Sequence, residues 1–153
     1  MKENKVPHKE LLKQQVLQNL EKQLQTLDLE LKELREAKST DTKSSAGDKY
    51  ETGRESLGQT QNLLESQKSK FLGMFRDLER VPIEPKHTIT EGVLLKLSMG
   101  WVWVAVPFGK ITVDQEDIQV VSPQAPLVHS LRTIKVGESI HLNGKVIHLL
   151  GLY

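Results

Sequence analysis

Leu17-Gln-Asn-Leu20-Glu-Lys-Gln-Leu24-Gln-Thr-Leu27-Asp-Leu-Glu-Leu31-Lys-Glu-Leu34 is the stretch on which the fold turns: its numbered leucines are spaced 3, 4, 3, 4 and 3. Mostly charged and amide residues lie between them. This is a heptad seam, in which two apolar positions per seven residues keep one stripe of a helix against a partner. Upstream, Pro7 ahead of His8 suits a helix start, because proline fits a first helical turn. Downstream, residues 39–47 carry no large apolar side chain and interrupt the pattern. The seam resumes at Leu57, Leu64, Phe71 and Leu78, each seven apart, helped by Leu63, Met74 and Phe75. Gly53, Gly58 and Gly73 weaken this second helix locally. Two seams split by one polar break predict an antiparallel helical hairpin. Each arm of about 30 residues would be roughly 45 Å long. An intermolecular coiled coil is the alternative that the pattern leaves open.

The end of the break and the start of the second helix read Ser44-Ser45-Ala46-Gly47-Asp48-Lys49-Tyr50-Glu51-Thr52-Gly53-Arg54-Glu55. A hairpin with carboxylates clustered near residues 39–55 is suited to carrying negative charge into a place that a globular surface cannot enter. Read locally, Asp48-x-x-Glu51 is also a helix cap, with Asp48 at the N-cap and Glu51 reaching back from the third helical position. Asp41 and Glu55 are background charge beside this pair.

Composition bounds the function. The chain has 153 residues with 21 Lys and Arg against 20 Asp and Glu. Residues 1–80 hold 15 basic and 14 acidic side chains, and residues 81–153 hold 6 of each. This balance lacks the field expected of a dedicated duplex-binding protein. The absence of cysteine excludes a disulfide framework and thiolate metal sites, and fits a reducing compartment. The N-terminus shows no apolar signal segment, and no apolar run approaches the ~20 residues that span a bilayer. A cytoplasmic protein with no membrane partner is expected.

Val81-Pro82-Ile83-Glu84-Pro85 ends the helical region, since two prolines stop a helix and stiffen a linker. The expected organisation is a hairpin over 1–80, a linker over 81–89 and a C-terminal domain over 90–153. Residues 93–97, 101–106, 111–113 and 118–121 read as strands. Ser122-Pro123-Gln124-Ala125-Pro126-Leu127 reads as the start of a short helix whose inner face holds Leu127, Val128 and Leu131. Residues 140–142 and 145–149 flank Asn143-Gly144, the pair that supplies the positive φ angles of a type I′ hairpin turn. The fold class is α+β: an antiparallel α-helical coiled-coil hairpin, then a small antiparallel β-sheet domain with one short helix. Trp101 and Trp103 share one strand face, with Val102, Val104 and Val106 on the other, so at least one face is core. His141 and His148 are diagonal neighbours across the last hairpin, with no third metal ligand evident. No nucleophile–base constellation or phosphate-binding glycine loop appears.

Taken together, Gly47-Asp48-Lys49-Tyr50-Glu51, Val121-Ser122-Pro123-Gln124-Ala125-Pro126-Leu127, Leu131, Val136-Gly137-Glu138 and Asn143-Gly144-Lys145 resemble the Gre family of bacterial transcript-cleavage factors. The resemblance covers both regions in the right order. It implies an FKBP-like fold for residues 82–153, docked on the polymerase rim, with Ser122, Pro123 and Pro126 as docking candidates. It implies that the hairpin enters the secondary channel of RNA polymerase. There Asp48 and Glu51 would complete a site for a second Mg²⁺ shared with the polymerase, and none would be held by the protein alone. Hydrolysis of backtracked RNA uses two metals roughly 3.5–4 Å apart, so the polymerase remains the enzyme and this chain its stimulator, acting as a monomer. Lys43, Lys49 and Arg54 flank the tip as candidates for contact with the nascent RNA. The sequence departs from the family at Thr52-Gly53-Arg54-Glu55, where Asn-Ala-Glu-Tyr is usual, and at Thr133-Ile134, where Gly-Lys is common. Two alternatives stay open: a regulator that blocks the channel without cleavage, and a coiled-coil interaction protein with a peptide-binding FKBP-like module.

Overall fold

The computed structural model describes residues 6–41 and 47–153, with side chains for all of these except residues 40, 41, 47–52 and 54. Two long helices come first, α1 (Lys9–Asp41) and α2 (Gly47–Glu79). They are followed by β1 (Leu94–Leu97), β2 (Gly100–Val104), β3 (Gly109–Val113), β4 (Glu116–Val121), α3 (Pro126–Leu131), β5 (Ser139–Leu142) and β6 (Lys145–Leu152). The chain separates into two compact units, Asn19–Phe75 and Met1–Gln18 with Arg76–Tyr153.

In the unit Asn19–Phe75, Leu20, Leu27, Leu31 and Met74 are buried, and Leu24, Leu34, Leu57, Leu64 and Phe71 are half-buried. The predicted seams are therefore the faces on which the helices pack. Asp28 pairs with Lys68 at 2.5 Å, and Lys38 Nζ donates to Gln61 Oε1. As α1 advances from Asp28 to Lys38 its partner retreats from Lys68 to Gln61, so the helices run antiparallel. Leu63, expected to support the seam, is 59% exposed; it stands one position off the stripe, about 100° around the helix from Leu64.

The other unit holds the first turns of α1, where Leu12 and Val16 are fully buried. With Leu20 they continue the apolar stripe at spacings of four, a periodicity as helical as the heptad. The first helical bond runs from the Leu12 N–H to the His8 carbonyl at 2.9 Å, so Pro7 precedes the helix. The six strands form one sheet in the order β3-β4-β2-β1-β6-β5. The sheet is mixed, which corrects the antiparallel expectation: β2 and β4 run parallel, from Trp101 opposite Ile118 to Val104 opposite Val121. The cause lies in the connection. After β2 the chain lays β3 on the outer edge and returns through a hairpin, so β4 fills the place beside β2 having reversed direction twice. That hairpin turns on Asp114 (φ 51°) and Gln115 (φ 66°), a two-residue turn with neither Asn nor Gly. The predicted Asn143-Gly144 turn has φ 52° and 77°.

Strand alternation sorts the side chains. Val93, Leu95, Leu97, Val102, Val104, Ile140, Ile147 and Leu149 form one core with Val128 and Leu131 of α3. Leu94, Trp103, Ile118 and Val120 belong to the opposite face and are also buried, as is Trp101 at 8% exposure. Strand β2 is thus covered on both sides, and both tryptophans are core. The Trp103 Nε1–H donates to the Gly92 carbonyl at 3.2 Å, and the Gly92 N–H donates to the Val104 carbonyl at 2.7 Å.

Gly92 has φ +93°, and a Cβ there would stand 2.5 Å from the Pro82 carbonyl oxygen. Gly100, at φ +129°, has open space around it. Gly92→Ala should cost about 2–4 kcal/mol, strain plus clash, and Gly100→Ala only the strain of about 1–2 kcal/mol. Urea denaturation of both variants measures the difference. Gly58 and Gly73, inside α2 with nothing near a new Cβ, should behave oppositely. Each change to Ala should raise stability by about 0.5–1 kcal/mol, read as a higher urea midpoint at unchanged slope.

Candidate functional site

Helix α2 begins at Gly47, so Asp48 stands inside its first turn and not at the N-cap position that the local reading assigns it. Glu51 lies three positions later, a separation that places two residues on one side of a helix. Lys49 and Arg54 occupy the same helix. Lys43 lies outside the described residues, and the side chains of Asp48, Lys49, Glu51 and Arg54 lie outside the described side chains. What the backbone contributes is the donor pattern: two carboxylates at positions i and i+3 of a helix that opens on a glycine.

Ser122, Pro123 and Pro126 are placed by local bonding. The Ser122 hydroxyl donates to Gln124 Oε1 at 2.5 Å and accepts the Gln124 N–H at 3.1 Å. The Ala125 N–H donates to the Ser122 carbonyl at 3.0 Å, and Arg132 Nη2 donates to the Pro123 carbonyl at 3.2 Å. Pro126 opens α3 after Ala125, which offers no side-chain cap, so the missing proline N–H leaves one fewer donor to satisfy. The motif therefore builds the turn that lowers Val128 and Leu131 into the core. Ser122 and Pro123 remain half-buried and Pro126 is exposed.

His141 and His148 are exposed and diagonal in the β5–β6 register, where Ser139 faces His148 and His141 faces Val146. Among the described residues, no three His, Cys, Asp or Glu side chains gather as a metal site would require.

A second constellation comes from residues that sequence reading did not single out. Lys13 Nζ donates to the Glu79 and Val81 carbonyls at 2.9 and 2.8 Å, taking up acceptors at the end of α2. One turn earlier, Lys9 Nζ donates to the Glu84 carbonyl at 2.8 Å. Lys9 is only 9% exposed. Burial first, and the Lys86 charge second, push its pKa down to about 8. Beside it an open groove of about 930 Å³ runs between residues 6–14, the segment from Ile83 to His87, and Leu152 and Tyr153. The one signal available in the sequence was a pair of lysines, four apart, on a helix that also carries Leu12 and Val16. Nothing in it named their partners, which lie 66 to 75 residues away.

Comparison of the chain with protein families, with curated proteins and with solved structures finds no match. The functional reading therefore rests on the residues themselves.

Lys9 makes stability depend on pH with a definite sign. A lysine with its folded pKa lowered to about 8 releases its proton in the folded chain before the unfolded chain, with the ordinary value of 10.5, does so. Between those values the unfolded state binds more protons, so stability rises with pH across that window and the penalty of the buried charge is fully present below it. Urea denaturation at about pH 7 and about pH 10 should show wild type gaining stability relative to Lys9→Met. A parallel response of the two proteins would contradict the assignment.

Proposed function

We propose that the protein binds RNA polymerase, inserts the α1–α2 pair in the secondary channel and stimulates cleavage of backtracked RNA by the polymerase. The observation that carries this reading is the opening of α2 on Gly47-Asp48-x-x-Glu51, immediately after the polar break between two antiparallel helices. The second unit supports it. A small sheet with one short helix on a face, started by Ser122-Pro123 and Pro126, is consistent with the FKBP-like fold that the Gre resemblance implies.

In this reading the protein is not itself an enzyme; it works as a cytoplasmic monomer on a complex that holds the nascent RNA. Asp48 and Glu51 are the oxygen donors that would hold a Mg²⁺ shared with the polymerase, an ion that usually takes one or two protein carboxylates and leaves its other positions to water and phosphate. When bound, that ion supplies stabilisation of charge on the phosphate oxygens and a more acidic water. The chain's own contribution is the placement of two carboxylates, with Lys43, Lys49 and Arg54 as cations for the RNA backbone. Ser122, Pro123 and Pro126 are the docking candidates on the second unit.

A second reading, channel occupation without cleavage, is favoured by one feature: Thr52-Gly53-Arg54-Glu55 comes after Glu51, where the family usually has Asn-Ala-Glu-Tyr.

The two are separated by incubating stalled elongation complexes with wild type, Asp48→Ala and Glu51→Ala. Cleavage stimulation predicts shortened RNA with wild type and a rate lower by roughly a hundredfold in each variant, equal to about 2.7 kcal/mol of barrier, at unchanged polymerase affinity. Slower nucleotide addition without shortening would establish the blocker. Failure to bind polymerase at all would remove both.

A further inference from the structure

The groove beside Lys9 is independent of the tip, since it is lined by none of the residues assigned to cleavage or docking. Its floor and walls are apolar where Leu11, Ile83, Leu152 and the Tyr153 ring line it, and Ile83 and Tyr153 are 39% and 37% exposed. Its charge is one-sided. Among the described residues, Lys9 and Lys86 line it with one acidic side chain, Glu10, and His8, His87 and Gln14 add hydrogen-bonding capacity.

The two ammonium groups are close enough that the Lys86 charge contributes to lowering the Lys9 pKa. Two cations set near one another, one of them almost fully buried, leave a site whose electrostatic deficit a carboxylate would fill. The volume, about 930 Å³, lies at the upper end of the range of small-molecule pockets, roughly 300–1,000 Å³. The groove is also open to solvent along its length, which suits an extended chain better than an enclosed ligand. A nucleic-acid backbone fits poorly, because it would bring repeated phosphates to a lining that is largely hydrocarbon and, among the described residues, contains no arginine.

We propose that this groove receives a short acidic segment of another protein, an extended peptide whose carboxylates meet Lys86 and Lys9 while a large apolar side chain between them lies on Ile83 and Tyr153. The acidic residues give orientation and the apolar side chain gives most of the affinity, the division of labour common in peptide grooves.

The structure also supplies the reporter. The Trp101 ring lies 5.8 Å from that of Tyr153, so a peptide seated on Tyr153 perturbs the fluorescence of Trp101. The full chain is titrated with the capped hexapeptide Asp-Glu-Leu-Phe-Glu-Asp, with Lys-Arg-Leu-Phe-Lys-Arg and with a version of the acidic peptide carrying Ser-Ser in place of Leu-Phe. Saturable binding of the first at about 0.1 mM or tighter is expected, with at least tenfold weaker binding of the other two. Lys86→Glu should weaken the acidic peptide at least tenfold without lowering the melting temperature, since it removes the repulsion that Lys9 meets from Lys86. If that variant is unstable, Ile83→Ser, which removes the apolar contact, carries the same expectation. Equal binding of the acidic and basic peptides, indifference to both variants, or no saturation below about 1 mM would overturn the proposal. So would saturation by octanoate where the peptide fails, which would mark the groove as a small-anion pocket. None of these outcomes depends on whether the protein acts on RNA polymerase.

Discussion

A buried indole N–H must find an acceptor, because leaving a polar group unpaired away from water costs of the order of 1–3 kcal/mol. Trp103 has no exposure, and its acceptor is the carbonyl of Gly92. That single requirement propagates. The Gly92 carbonyl is aimed by a positive φ, and the missing Cβ is what lets the Pro82 carbonyl approach the same place. The proline segment is therefore held against the start of the sheet. Once it is held, the Val81 and Glu84 carbonyls stand where Lys13 and Lys9 reach them. A core tryptophan on β2, a glycine turn, a linker and the first turns of α1 thus form one chain of contacts in which each link fixes the next. The groove exists because those links bring residues 6–14, 83–87 and 152–153 together.

The same chain explains why β2 tolerates burial on both faces. Parallel strands are normally covered on both sides, whereas antiparallel pairs often leave one face wet. Here β2 is paired antiparallel with β1 and parallel with β4, and its sequence, Gly-Trp-Val-Trp-Val, is apolar at every position after the glycine. The neighbouring strand β4 shows the opposite pattern. In β4, Ile118 and Val120 are buried while Asp117 and Gln119 are exposed. At Asp117 the Thr112 hydroxyl and Lys110 hold the carboxyl below the usual range, a surface arrangement that decorates the β3–β4 hairpin without adding to the core.

Local periodicity was enough to read the elements from sequence, and it failed where long-range pairing decides. The leucine spacing located the helix faces, and Asn143-Gly144 located the last turn, because both signals are written within a few neighbouring residues. The parallel pairing of β2 with β4 was hidden by the Asp114-Gln115 turn, which adopts positive φ values at both positions without the glycine that usually follows Asp or Asn there. Burial of Trp101 and Trp103 on a face that alternation alone left undecided depends on what covers the sheet, which no window of sequence contains. The candidate site divides the same way. Gly47-Asp48-x-x-Glu51 is contiguous and could be singled out. Lys9, Lys13, Lys86 and Tyr153 are scattered along the chain and acquire a common place only through the fold.

The two candidate sites also differ in what holds them. The carboxylates of the tip belong to the first turns of a helix, where the helix dipole favours negative charge by typically 0.3–1 kcal/mol. The role proposed for Asp48 and Glu51 is therefore compatible with their place at the start of a helix. The groove works the other way. Lys9 sits in the first turn of α1, where the dipole disfavours a cation, and it is buried besides. Among the described residues the backbone carbonyl of Glu84 accepts from it, which only partly offsets this. A charge kept where both the dipole and desolvation oppose it is a local cost to the fold, and an incoming carboxylate would relieve that cost on binding.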